Sequence, residues 1–250
     1  MSTPTRNWFR AAAMAIAPVV LLAAFLYHPF VSGGAPTPEV VAEAAEADTT
    51  RWAAAHMLTL VAFALSALAF LALRGRLRDA GEERWSSWAF PLVIAGFVLL
   101  AGLPAIEMTI AGAIDTGVDT VALIEAVNPW FMTLLISGSV AFALGALAFA
   151  MGVVRGAIMS RDLTGLVAIA LVVTALAMVA PPFWAFYVMA VAAIVVFWPV
   201  AWTTVRAGTR PEAAAEAEEG AQPAAPHPRT AEEQKGTFLG FGRRGTRAHH

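Results

Sequence analysis

Few residues in this chain are placed where they could do chemistry. Three ionisable side chains fall inside long apolar runs: His28, His56 and Glu107. The same runs carry hydroxyls at Thr59, Ser66, Thr109, Thr133, Ser137 and Ser139. A polar group in such surroundings is costly unless it is paired or used. Two imidazoles and a carboxylate make a ligand set for zinc, copper or non-haem iron. They could equally form a proton or ion site, because histidine titrates near neutral pH. Two histidines on adjacent helices could also ligate a haem axially. Plainer roles compete with these. YHPF and WAAAH also read as interface sequences, whose histidine bonds water, lipid or backbone. Glu107 could bond a neighbouring helix through Thr133 or Ser137.

Other chemistry is excluded. The chain has no cysteine, which removes disulfides, iron–sulfur clusters, thiolate zinc sites and cysteine nucleophiles. It holds no phosphate-binding loop, dinucleotide fingerprint, HExxH motif or nucleophile elbow. Its basic residues are scattered among connections, so no nucleic-acid partner is expected. The terminal His249-His250 pair is given no role.

The elements that must position the three residues are membrane helices. Of 250 residues, 59% are hydrophobic and 14% charged, against about 45–50% and about 25% in soluble domains. The apolar residues gather in runs long enough for a hydrocarbon core of about 30 Å. Six spans are expected: Ala11–Phe30, Trp52–Leu73, Ser87–Ala113, Pro129–Val154, Thr164–Ala180 and Phe183–Thr203. The first run could also be a secretory signal, but it is long and has a counterpart later in the chain. Residues 1–10 precede the membrane domain at 11–204. Between spans one and two, a Gly/Pro turn precedes an alanine-rich stretch. There the spacing of Glu39, Glu43 and Glu46 predicts a short helix with one acidic face. Span four is expected to start at Asn128-Pro129-Trp130, with Asn128 as cap. Residues 205–250 are low in complexity and expected to be a disordered tail. Its GTFLGFGRRGTR segment is more readily solvated than bound to a membrane surface.

A repeat relates the hairpins. AFALSALAF (Ala62–Phe70) matches AFALGALAF (Ala141–Phe149) in all but one position. Ile16 and Ile94, like Trp52 and Trp130, stand 78 residues apart. Hairpins at about 11–78 and 89–156 are therefore expected to be copies, with a third, shortened hairpin at 164–204. Ala62, Ser66, Ala141 and Gly145 supply small residues at four-residue spacing, which should put those faces at the centre of the bundle.

Charge gives an orientation. One set of connections holds ten arginines between Arg6 and Arg210; the other holds Arg51 and seven acids. The positive-inside rule puts both termini in the cytoplasm. Tryptophans at both sets of span ends, Trp52 among them, read as aromatic belts. Fifteen arginines to one lysine and abundant alanine suggest a GC-rich bacterial source, and hence the inner membrane.

The expectation is an all-α, six-span membrane protein. Its function is read as that of a non-enzymatic accessory subunit or small carrier, with an outward-facing polar site at Glu107, His28 and His56. The alternative is a metal- or haem-dependent membrane redox enzyme or hydrolase using the same residues. Expected partners are the lipid bilayer and either another membrane protein or a second copy of the chain.

Overall fold

The computed structural model describes residues 3–29, 37–180 and 184–220. The Gly/Pro turn, the Pro181-Pro182 junction and the tail from 221 onward lie outside the described residues. Among the described residues there are seven α-helices and no strand. They are α1 (Thr3–Tyr27), α2 (Pro38–Ala47), α3 (Thr49–Asp79), α4 (Arg84–Ile114), α5 (Thr120–Gly156), α6 (Arg161–Val179) and α7 (Trp184–Gly220). All except α2 contain a segment long and apolar enough to cross a membrane. The chain is thus an all-α membrane protein with six spans arranged as successive hairpins. The connections fall at two ends of the bundle, an arginine end and an acidic end.

Capping chemistry explains where several helices begin. Orphan N–H groups in a first turn need acceptors. The Asp48 carboxylate accepts from the backbone N–H of Arg51 (2.9 Å) and starts α3. The Glu82 carboxylate accepts from the N–H groups of Trp85 (2.7 Å) and Ser86 (3.2 Å) at the start of α4. Asp119 accepts from Ala122 N–H (3.0 Å) and starts α5. The start expected at Asn128-Pro129 is therefore corrected. Pro129 lies inside α5, and most of the expected acidic connection is its first turns. The acidic helix is found as α2, whose Glu39, Glu43 and Glu46 are exposed and whose Ala42 and Ala45 are buried. Thr37 donates a hydrogen bond that holds the Glu39 carboxyl below its ordinary pKa, with a smaller contribution from the helix N-terminus.

The helix order in space is α1–α3–α4–α5–α6, each packed on the next. Helix α7 closes on α1, where Tyr187 donates its hydroxyl to Phe25 O (3.2 Å) and Trp198 donates its indole N–H to Ala15 O (3.2 Å). It continues past the expected span end to Gly220. The chain divides into two compact units, 1–209 and 210–250; the described part of the second is the end of this helix.

Small residues set the closest crossing. A Cβ on Gly145 would come within 2.8 Å of Val93 N and 2.9 Å of Ala89 O, and one on Gly96 within 2.8 Å of Phe142 N. Helices α4 and α5 therefore touch backbone to backbone. Ala62 and Ser66 are buried as expected, and so is Gly145, whereas Ala141 is half-buried. Phe70 stands at the centre of the core. Its ring centroid is 5.9 Å from Phe142, 5.2 Å from Phe149, 6.1 Å from Phe97 and 5.0 Å from Phe197.

Six tryptophans are exposed: Trp8, Trp88 and Trp184 near the starts of α1, α4 and α7, and Trp130, Trp198 and Trp202 inside α5 and α7, close to the expected span ends. That is the belt arrangement. Trp52 departs from it, being only 2% exposed.

Candidate functional site

The site begins with the way α1 is tied to α3. The last carbonyls of a helix lack intrahelical partners. Arg51, in the first turn of α3, donates its Nε–H to Tyr27 O (3.0 Å) and lies over the Tyr27 ring at 5.5 Å. The end of α1 is thereby fixed beside the start of α3. This brings His28, one residue past α1, against His56, two turns into α3. Their Nε2 atoms are 3.2 Å apart, and their ring centroids 4.8 Å.

The other ring nitrogens decide what this pair is. His28 Nδ1 lies 2.7 Å from Pro29 O, and His56 Nδ1 lies 2.7 Å from Trp52 O. A carbonyl oxygen can only accept, so both Nδ1 atoms donate. In the neutral rings both protons are then on Nδ1, and each Nε2 presents a lone pair to the other. Two lone pairs at 3.2 Å repel unless a positive centre lies between them. One proton would turn the contact into a charge-assisted hydrogen bond. One metal ion would satisfy both lone pairs at once.

Trp52 forms the floor of the pair. Its ring lies 4.7 Å from His56 and 5.4 Å from His28. Its indole N–H donates to the backbone oxygen of Glu107 (3.2 Å), linking α3 to α4. Against Trp52 pack Ala45 of α2 and Ala111 of α4. Reading Trp52 as a belt residue is thus corrected: it is a buried wall of the site. A tryptophan at a span end gives the same signal for both roles. The clue lay in its spacing, four residues before His56 on one helical face.

His28, His56, Trp52 and Glu107 all line one cavity of about 530 Å³. Ser139 of α5 and Thr59 of α3 line it too, and the other described residues of the wall are apolar. Two buried polar atoms in this wall, Glu107 Oε2 and Ser139 Oγ, have no hydrogen-bond partner. Thr133 and Ser137 do not serve Glu107. Thr133 Oγ1 donates to Pro129 O (2.8 Å), and Ser137 Oγ donates to Thr133 O, both within α5. Among the described residues, no group of three or more histidine, cysteine, aspartate or glutamate side chains could together hold a metal ion. The two histidines are in contact with each other, and Glu107 lines the same cavity.

Comparison with protein-family models, curated proteins and solved structures gives no match. The functional reading rests on this geometry.

Proposed function

We propose that this chain is a bacterial inner-membrane carrier or accessory subunit whose working centre is a cation site. The site is the His28–His56 pair, opening into the cavity shared with Glu107. One observation carries the reading: the two Nε2 atoms lie 3.2 Å apart while each Nδ1 lies 2.7 Å from a carbonyl oxygen, an acceptor that calls for the Nδ1–H tautomer on both rings. Such a pair takes one proton or one metal ion, and not both together.

The spacing favours particular ions. Two nitrogens bonded at about 2.0–2.1 Å to one tetrahedral ion stand about 3.3 Å apart. Opposite axial ligands of a haem, at bonds of about 2 Å, would stand about 4 Å apart. The pair therefore suits cis ligation of zinc or a similar transition ion, with open positions toward the cavity. Glu107 supplies a carboxyl group that can carry a second proton or balance the cation.

The arginine loops and acidic connections support placing both termini in the cytoplasm, so that the site faces outward. The matched phenylalanines Phe63/Phe142 and Phe70/Phe149 support the two hairpins as copies of one unit.

The test is a titration of Co²⁺ or Zn²⁺ into protein held in phosphatidylcholine nanodiscs, with His249 and His250 replaced by alanine so that the terminal pair does not compete. One ion per chain is expected. His28→Ala or His56→Ala should each weaken binding by more than about 100-fold, beyond the effect of losing an outer-shell contact. Affinity should fall as pH is lowered, because protons compete for the same lone pairs. Nitrogen-15 NMR should show both imidazoles protonated on Nδ1; finding Nε2–H on both would remove the site. The carrier half is read separately from Co²⁺ flux into proteoliposomes. Glu107→Gln is expected to abolish that flux, and unchanged flux would leave only the accessory reading.

A further inference from the structure

The cation pair occupies one corner of a space much larger than an ion needs. A cavity of about 530 Å³ lies within the roughly 300–1,000 Å³ typical of small-molecule sites. Glu107 Oε2 and Ser139 Oγ are both buried and unpartnered. Ser139 is only 5% exposed, so water at the bundle surface does not serve it. The remaining lining is chiefly aliphatic and aromatic, including Leu103, Leu135 and Met178.

The cavity also has a side facing lipid. Met132, Ile136 and Val140 form one stripe of α5 at four-residue spacing, and Val179 ends α6. All four line the cavity, yet they are 40%, 58%, 48% and 48% exposed. A residue that both lines a cavity and meets the outside marks its opening. Here the opening lies on the flank of the bundle, among residues suited to acyl chains. The adjacent part of α5 is thinly covered: no residue from Glu125 to Ser137 is buried.

We propose that this cavity binds an uncharged, hydroxyl-bearing amphiphile that enters sideways from the bilayer. A head hydroxyl would bond Glu107, a second polar atom of the head, such as an ester oxygen, would meet Ser139 about two turns along the α4–α5 crossing, and the apolar tail would lie along the α5 stripe. Charge selects against the common anionic lipids. Among the described residues no lysine or arginine lines the cavity, and the only carboxylate in its wall is that of Glu107. The one positive charge that the histidine pair can hold offsets Glu107, so an anionic head would remain uncompensated and desolvated. The proposal goes beyond the cation site and does not require it.

The test uses a photoreactive diazirine analogue of monooleoylglycerol in phosphatidylcholine nanodiscs holding the full chain, with labelled residues mapped by mass spectrometry. Labelling is expected at Met132, Leu135, Ile136 and Met178. Excess monooleoylglycerol should compete it away, and oleate should compete roughly tenfold less well, as expected for one unmatched buried polar contact. Ser139→Ala should weaken competition by a similar factor. Ile136→Trp, at a lipid-facing position that does not endanger folding, should reduce labelling by narrowing the opening. Equal labelling around all lipid-facing helices would mean annular lipid only and would overturn the proposal. Competition by oleate equal to that by monooleoylglycerol would overturn the choice of an uncharged head. Because labelling is read without metal, this proposal and the cation reading fail separately.

Discussion

Trp52 does two jobs that substitutions can separate. Its ring packs on both histidines and its N–H bonds the Glu107 carbonyl. Trp52→Phe keeps an aromatic ring and loses the bond, and should cost about 1 kcal/mol of stability. Trp52→Ala also opens a void, and should cost about 3–5 kcal/mol. Thermal unfolding in detergent followed by fluorescence would rank them; equal losses would mean that the indole bond contributes nothing. Arg51 is a positioning residue for the same site. Arg51→Ala removes the donor to Tyr27 O and should weaken Co²⁺ binding, although Arg51 touches no ligand nitrogen. Unchanged affinity would show that the end of α1 is held by other contacts. At this scale the sequence was informative about which residues matter and silent about how they meet. His28, His56 and Glu107 stand out because apolar runs make any ionisable group conspicuous. The Nε2–Nε2 contact depends on the register of α1 against α3, which Arg51 sets across the chain, and no periodicity encodes that.

At the scale of elements, the α4–α5 crossing makes a sharp contrast between glycines. Gly145 and Gly112 both sit inside helices, but a Cβ on Gly145 would strike the backbone of α4, whereas nothing lies within 4 Å of one on Gly112. Gly145→Ala should destabilise by about 1–3 kcal/mol through overpacking. Gly112→Ala should stabilise by about 0.5–1 kcal/mol by removing backbone freedom. Paired thermal melts would check the signs, and a neutral Gly145→Ala would mean that the helices can part without loss. The spans themselves were legible, because uninterrupted apolar runs dominate every other signal. The start of α5 was not. Pro129 fits a first turn as well as an interior position in this helix, and the cap is the less conspicuous Asp119. The packing role of Gly145 was legible from its spacing, while the half-exposure of Ala141 was not, because α3 and α5 meet different neighbours in the bundle.

For the whole molecule, orientation can be read directly because the chain has no cysteine. Single cysteines at Ala47 and Gly81, both exposed and at opposite ends of the bundle, should react differently with an impermeant maleimide added to intact cells. Ala47→Cys should label and Gly81→Cys should not; the reverse would invert the topology. The aromatic core bears on how the halves cooperate. Phe70 from the first hairpin contacts Phe142 and Phe149 of the second, so neither hairpin completes its core alone. Fragments divided in the loop near Gly81 should each aggregate when expressed singly and recover Co²⁺ binding only when expressed together.

The sparse burial of α5 between Glu125 and Ser137 has a mechanical meaning. From Gly138 onward the helix is clamped against α4, with Leu100 filling the place a side chain on Gly138 would take. Its start is held as well, by Ile124 packed with Ala42 of α2 and Ile110 of α4. The thinly covered segment between is a beam held at both ends, and bowing it would widen or close the flank of the cavity without disturbing the core. Spin labels at Trp130 and Ala47 should therefore give a broad distance distribution that narrows when the cavity is filled. Labels at Val154 and Gly81, across the clamped end, should stay narrow throughout.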